Sequence, residues 1–327
     1  MNILTIIDTT VRQLKGQFHL HTSRSPDCAF PSAVVMEEYR SKGFDFCLMT
    51  DHEVYWDSTE LDTQDFLVLS GVENAFLPNP DHVFSLDYKT KKQMHFNLLK
   101  DLTTACDTCF NHDEVMVRPV DYGIDSWNNH IEFYHQHGQL VILNHPSWSH
   151  LDPEMMLAVQ GCIAFELWNH ASIVSTGSIV DEVRWDYCLE RGKRIRAIAT
   201  DDAHLYGAGN RECGGGFTMV LADEFSKVAI IQAMKEGRFY PSTGPLIRDM
   251  TIENGVLSMN VSPVSEIKVL GPQAYENVLA RAESDSLTHL AWNIDTSLGY
   301  FRVKLSTVDN THAWTQPVFI DEWCTTR

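Results

Sequence analysis

Basic residues are scarce in this chain: its 327 residues hold 25 Lys plus Arg against 44 Asp plus Glu, a formal net charge of −19. Such a surface repels a polyanion, and neutralising a phosphate backbone takes clusters of Lys and Arg that are absent here, so long nucleic acid is not an expected partner. Bound divalent cations would offset the charge locally, by about +2 each, leaving room for a small anionic substrate. Also missing is any run near the ~20 apolar residues that cross a bilayer. The opening MNILTIIDTTVRQLKG has neither a basic start nor a sustained apolar stretch with a small-residue cleavage site. We therefore read the protein as cytoplasmic, without a membrane partner.

Paired cysteine motifs are nearly absent. The eight cysteines are dispersed, several within apolar runs such as FDFCLMT, which excludes a small disulfide scaffold and predicts reduced thiols. A single CDTC, Cys106 and Cys109, has the spacing of a redox or metal motif but no second pair to complete it. The run GGG at 214–216 is not a P-loop, because no GKS or GKT follows; it is expected to give its loop backbone freedom.

What is present is an alternation of short apolar runs with helical patterns through the first three quarters of the chain, the signature of βα units around a mostly parallel sheet. Strands are predicted at 17–22, 44–50, 65–71, 82–88, 139–144, 162–168 and 194–200. Helices are predicted from Ser32 to Gly43, from about Ser178 to Arg191, and over SKVAIIQAMKEG up to Gly237, each closed by glycine. From Arg248 the texture changes to short β-like pieces with Asn-Gly turns and no helical period. FYPSTGPLI (239–247) is the expected junction between a domain at 1–247 and a small β-sandwich-like domain at 248–327.

The polar clusters fall at strand ends. Asp51-His52 follows LMT, Glu73 follows LVLSGV, Asn144-His145-Pro146 follows LVIL, and Asp201-Asp202-Ala203-His204 follows IRAIAT. In a parallel α/β barrel the C-terminal strand ends converge on one face, where ligands assemble. His19 and His21, alternate residues of the first strand, would point into the same mouth. Imidazole and carboxylate without thiolate suit zinc, manganese or iron. A carboxylate such as Glu73 can bridge two ions, and two ions about 3.5–4 Å apart activate a bridging water and clamp both oxygens of an ester hydrolysis.

The ordered motifs HLH (19–21), TDH (50–52), GVE (71–73), NHP (144–146) and DAH (202–204) resemble the PHP (polymerase and histidinol phosphatase) superfamily of metallohydrolases over residues 1–245. The resemblance implies a distorted (β/α)7 TIM-like barrel, followed here by the small antiparallel β domain, with two or three divalent ions (Zn, Mn or Fe) at its mouth. By motif, His19, His21, Glu73 and Asp202 would hold one ion, and Asp27, His52 and His204 a second. His145 with Glu73 would hold a third if one exists, and His82 stands where related sequences often have a further histidine. Glu73, Asp51 and His204 are the implied catalytic residues.

The GRFYPSTGPLI segment and trailing β domain are similar to the PHP branch that includes carbaryl-hydrolase-like proteins and small-molecule phosphoesterases. The expected activity is hydrolysis of a small phosphorylated metabolite or nucleotide through a metal-bridging hydroxide. A carboxyl-ester or carbamate hydrolase on the same metals is the alternative. A non-catalytic metal-binding module is a third reading, but it normally lacks several ligands and here every expected position is filled. Arg24, Arg211 and, more weakly, Arg118 are expected to meet substrate oxygens, since the guanidinium fork fits them. His170, after the CIAFELW strand, is a further substrate contact. His135 and His137 are expected to cap a helix end, and His95 has no motif context. The β domain would wall the pocket or mediate a homo-oligomer.

Overall fold

The apolar runs that end in polar clusters become strands, and these gather into two main sheets of a mixed α/β fold. The computed structural model describes residues 3–76, 93–104, 114–115, 123–273 and 275–325. The expected strand at 82–88 with His82, the Cys106 and Cys109 pair, and Arg118 lie outside these residues.

In one sheet, Arg12–Gln17, Phe46–Leu48 and Leu67–Leu69 run parallel as neighbours. Phe217–Ala222 and then Phe239–Ser242 extend it antiparallel on the other side. In the second, Gln139–Leu143, Cys162–Asn169 and Ala197–Thr200 run parallel. Met94–Lys100 lies antiparallel between Gln139–Leu143 and Gly71–Phe76. The parallel pattern is broken there because Gly71–Phe76 pairs with a strand that runs back antiparallel beside it.

The sheets meet at two places. Leu67–Leu69 continues through Ser70 into Gly71–Phe76, so one chain run serves both. Across the molecule an isolated parallel bridge joins Leu20 to Ala203, and another joins His52 to Glu73. Among the described residues the expected barrel is therefore not one continuous closed sheet: the ladders stop where the chain bends to turn side chains inward. Gly71 marks such a crossing, since a Cβ there would lie 2.3 Å from the Leu98 carbonyl oxygen and 2.7 Å from Leu48 Cδ1.

Helices cover the sheets much as their patterns predict. Ser32–Ser41 buries Val35, Met36 and Tyr39, although Pro31, rather than Ser32, stands at its cap. Lys227–Glu236 begins with the Ser226 hydroxyl accepting from the Ala229 amide at 3.2 Å and ends at Gly237 in the left-handed region. The helix expected from Ser178 starts only at Glu182, because Ser172–Thr176 forms a π-helical turn closed by Gly177 at φ 74°. No described helix is long and apolar enough to cross a membrane.

The C-terminal pieces are antiparallel, as expected, and Ile247–Glu253 pairs with Val256–Val264 about an Asn254-Gly255 turn with both residues at positive φ. The segment expected as the junction, 239–247, contains a buried strand, Phe239–Ser242, whose Ser242 pairs with Ala313. Ile3–Ile7 crosses the other way to pair with Ile247–Glu253. The apolar character of FYPS decides this, since those side chains complete the sheet's core. Arg302 adds a polar tie: it is 0 % exposed, bidentate to Asp186 at 2.9 Å, 3.1 Å from Glu182, and stacked 4.8 Å from the Trp185 ring centre. Cys28, Cys47, Cys162, Cys188 and Cys213 are free thiols. Burial pushes Cys162 up to about 12 and Cys188 up to about 11, so both stay protonated.

Candidate metal centre

The strand period places the two histidines of HLH. Leu20 is bridged to Ala203 and fully buried on one face, so His19 and His21 share the other. The backbone of His19 accepts from the Asp202 amide at 2.9 Å, and the His21 amide donates to Ala203 at 3.0 Å, which locks HLH beside DAH. Nε2 of His19 lies 3.1 Å from Glu73 Oε2 and 3.1 Å from Asp202 Oδ1. Nε2 of His21 lies 3.0 Å from the same Asp202 oxygen and 3.3 Å from the same Glu73 oxygen.

Glu73 is the hub. Its Oε2 also faces Nδ1 of His52 at 3.2 Å, while Oε1 faces Nδ1 of His95 at 3.0 Å and Nε2 of His145 at 3.2 Å and accepts from Asn144 Nδ2 at 2.8 Å. On the open side, Asp27 Oδ2 lies 3.1 Å from Nε2 of His52 and 3.3 Å from Nε2 of His204. Four overlapping donor groups result among the described residues: His19, His21, Glu73 and Asp202; His21, Asp27, His52 and His204; Glu73, His95 and His145; and His19, His145 and Glu166. Every described residue expected as a ligand is brought together here.

The electrostatics fit cations. Burial opposes a charge on His19, yet the carboxylates of Asp202, Glu73 and Glu166 outweigh it and raise its pKa well above the ordinary value. Burial likewise opposes ionisation of Glu73, and the surrounding imidazoles, His19 foremost, hold its pKa well below the usual range. For Asp27 the bonds from His204 and His52 overcome burial in the same direction. Glu73, Asp202 and Asp27 thus concentrate negative charge among shared imidazoles, a charge that a cation would offset, and borderline divalent ions suit this oxygen and nitrogen donor set. Asp202 and His145 also sit at positive φ, 56° and 23°, a backbone cost tolerated where surrounding bonds fix a functional side chain.

Three contributors lacked a sequence motif. His95, in the antiparallel strand Met94–Lys100, completes the third group, and neither its spacing nor its neighbours marked it. Glu166 is fully buried and accepts from His19 Nδ1 at 2.7 Å, the His145 amide at 2.8 Å and the Thr200 hydroxyl at 2.8 Å. A carboxylate inside the apolar run CIAFELW was the available signal, since a buried charge must be partnered. Glu212 accepts from the His204 and Leu205 amides at 3.0 and 3.1 Å and so fixes the loop that carries His204.

The remaining expected residues are placed elsewhere. Asp51 is buried, accepting from the Thr22 amide at 2.7 Å, the Thr22 hydroxyl at 2.9 Å and Trp56 Nε1 at 3.2 Å; it holds the turn after HLH and faces no donor group. The Arg24 guanidinium stacks 4.1 Å over the Trp56 ring. Arg211 is exposed, and its carbonyl accepts from His170 Nε2 at 2.8 Å, which turns that imidazole to the loop backbone. Among the described residues, none of these four lines the cavity of about 250 Å³ over the donor groups. That cavity is walled by Trp148, Ser172, Ser175, Thr176 and Glu212. The GGG run is tied down: amides of Gly214, Gly215 and Gly216 donate to Asp201 at 2.6, 2.9 and 2.8 Å. The carboxyl of Asp201 is pushed up to about 7 by burial, with those amides opposing the shift. His135 and His137 do cap carbonyls, reaching Gly161 at 2.9 Å and Phe133 at 2.8 Å.

No family model matches the chain, and no curated protein matches it. Among solved structures it is similar to a two-domain protein from Bacteroides vulgatus containing a predicted PHP-like metal-dependent phosphoesterase. That likeness is 15% in sequence, covers 95% of this chain and 96% of the other, and has a TM-score of 0.47. It is also similar to endonuclease Q, solved in complex with a 27-mer duplex substrate carrying an abasic lesion, at 11% identity over 69% of this chain and 57% of the other, with a TM-score of 0.43. With TM-scores below 0.5 these are likenesses only, and the reading of the site rests on its own geometry.

Proposed function

We propose that this chain is a PHP-superfamily metal-dependent phosphoesterase acting on a small phosphorylated molecule. The observation that carries the reading is Glu73, whose two carboxylate oxygens face different sets of imidazoles and so suit a bridge between ions. The two sheets that carry its ligand set, joined by isolated bridges, support a distorted seven-stranded barrel at 1–247 with the β unit at 248–327 hydrogen-bonded to its side. His19, His21, Glu73 and Asp202 would hold one ion, Asp27, His52 and His204 a second, and His95 and His145 with Glu73 a third. Zinc, manganese and iron all suit the donors.

When bound, such ions lower the pKa of a coordinated water and polarise the ester oxygen. The chain's own residues orient and hold protons. Glu166 takes the proton-bearing Nδ1 of His19 and so leaves Nε2 for the centre. Nε2 of His204, beside Asp27 on the open side, would be a ligand of the second ion and so has no proton to give a leaving group. Trp148 and the Ser172 to Thr176 turn wall the space the leaving group would occupy.

One observation favours the second reading, a carboxyl-ester or carbamate hydrolase: among the described residues lining the cavity there is no Lys or Arg to pair with phosphate oxygens. Assays of the metal-loaded protein on p-nitrophenyl phosphate, bis(p-nitrophenyl) phosphate, a naphthyl acetate and a naphthyl N-methylcarbamate separate the two. Turnover of a phosphate ester, lost in His19→Ala and His52→Ala, supports the proposal. Turnover confined to the acetate or carbamate would replace it with the second reading.

A further inference from the structure

A second cavity, of about 340 Å³, lies on the side of the molecule where Ile3–Ile7, the end of helix Lys227–Glu236 and the C-terminal strands meet. It shares no lining residue with the cavity over the metal centre. Its apolar walls include Leu4, Ile6, Phe239, Val318 and Phe319, and its one unpaired charge is Arg196.

The other charged groups on this wall are satisfied within the protein. Arg238 is bonded to Asp223 at 3.0 Å and to Glu236 at 2.6 Å, and Glu322 is held by Arg194. Among the described residues the Arg196 guanidinium makes no hydrogen bond or ion pair. It is half-buried and packed flat on Gly237, where a Cβ would lie 2.0 Å from its Nε. Burial holds its pKa below the usual value, with the charge of Glu322 opposing, but a guanidinium stays charged throughout the physiological range. A partly desolvated fork with five donors and no acceptor is an incomplete pair.

We propose that this cavity is a second ligand site, taking a small monocarboxylate with an apolar body, its carboxylate on Arg196 and its body against Leu4, Ile6, Phe239 and Phe319. The volume is that of a small-molecule pocket, and the mix of apolar wall with one directional polar group is the usual composition of such sites. The single planar fork matches a carboxylate in bidentate geometry. A dianion is disfavoured, because among the described lining residues only one cation is free and Glu236 and Glu322 line the same cavity. The site is separate from the hydrolytic one: Arg196 precedes strand Ala197–Thr200 and Asp202 follows it, a run of roughly 20 Å at strand rise.

Calorimetric titration of the metal-loaded protein with hexanoate and 4-phenylbutyrate, and with their uncharged amides, tests the site. The carboxylates bind about tenfold or more tighter than the amides. Arg196→Gln removes that preference, and Leu4→Trp, which adds bulk to the cavity's apolar lining, removes binding of both. Arg196 has no internal partner to lose, so its variant keeps the wild-type circular dichroism. No binding to the wild type at millimolar concentration, equal binding of acid and amide, or carboxylate binding that survives Arg196→Gln, as it would at the metal centre, overturns the proposal. If Arg196→Gln does not fold, the acid-to-amide ratio in the wild type and its loss in Leu4→Trp decide the matter.

Discussion

Nδ1 of His19 donates to Glu166 Oε1 at 2.7 Å, which leaves Nε2 of the same ring 3.1 Å from both Glu73 and Asp202. One buried carboxylate thus sets the tautomer and the aim of a proposed metal ligand. Partners of this kind raise ligand basicity, and losing one typically costs about 10–100-fold in metal affinity. Glu166→Gln is expected to weaken zinc or manganese binding by that factor while retaining the fold. Titration of metal-stripped protein against a chelating indicator measures it, and an unchanged affinity contradicts the role.

His95 gives a more selective outcome. Its contact is with Glu73 Oε1, so His95→Ala removes the group of Glu73, His95 and His145 and leaves the other three groups whole. Metal analysis by plasma mass spectrometry is expected to show the variant holding fewer ions than wild type but more than Glu73→Ala. Equal metal content in His95→Ala and wild type counts against a third position.

Arg302 carries the tie between strand Tyr300–Ser306 and helix Glu182–Glu190. Arg302→Met leaves Asp186 without this cation and Glu182 with Lys304 alone, and removing one partner of a buried ion pair costs about 3–5 kcal/mol. Both carboxylates keep partial solvent contact, so a loss of roughly 2–3 kcal/mol is expected here. Urea unfolding measures it, and a midpoint shift near zero shows the tie to be dispensable.

His312 predicts a pH dependence away from the metal centre. Burial, aided by the charge of Lys304, pushes its pKa down to about 4, below the unfolded value of about 6.5. The folded state therefore binds fewer protons, and this contribution to stability is present above pH ~6.5 and lost as pH falls toward 4. His312→Gln, which keeps a polar group near the Ser306 hydroxyl, is expected to flatten that part of the stability curve. Thermal melts of both proteins between pH 7 and 4 decide, and parallel curves rule the histidine out.

The chain by itself determined much of the candidate site because five motifs that carry imidazole and carboxylate follow strand ends, and strand ends of an α/β fold converge wherever they lie in sequence. The two-residue period settled that His19 and His21 share a face, and the glycines closed the helices where they stand. Tertiary structure alone decided what depends on partners distant in sequence. His95 enters because its strand runs antiparallel beside Glu73, and Glu166 becomes an orienter only when His19 and His145 are brought against it. Arg24 and Arg211 turned to a ring and to solvent, because a loop's position after a motif does not set where its side chains point. FYPS became an internal strand for the same reason: a Pro and Ser signal describes local backbone preference, and pairing with Phe217–Ala222 and burial outweighed it.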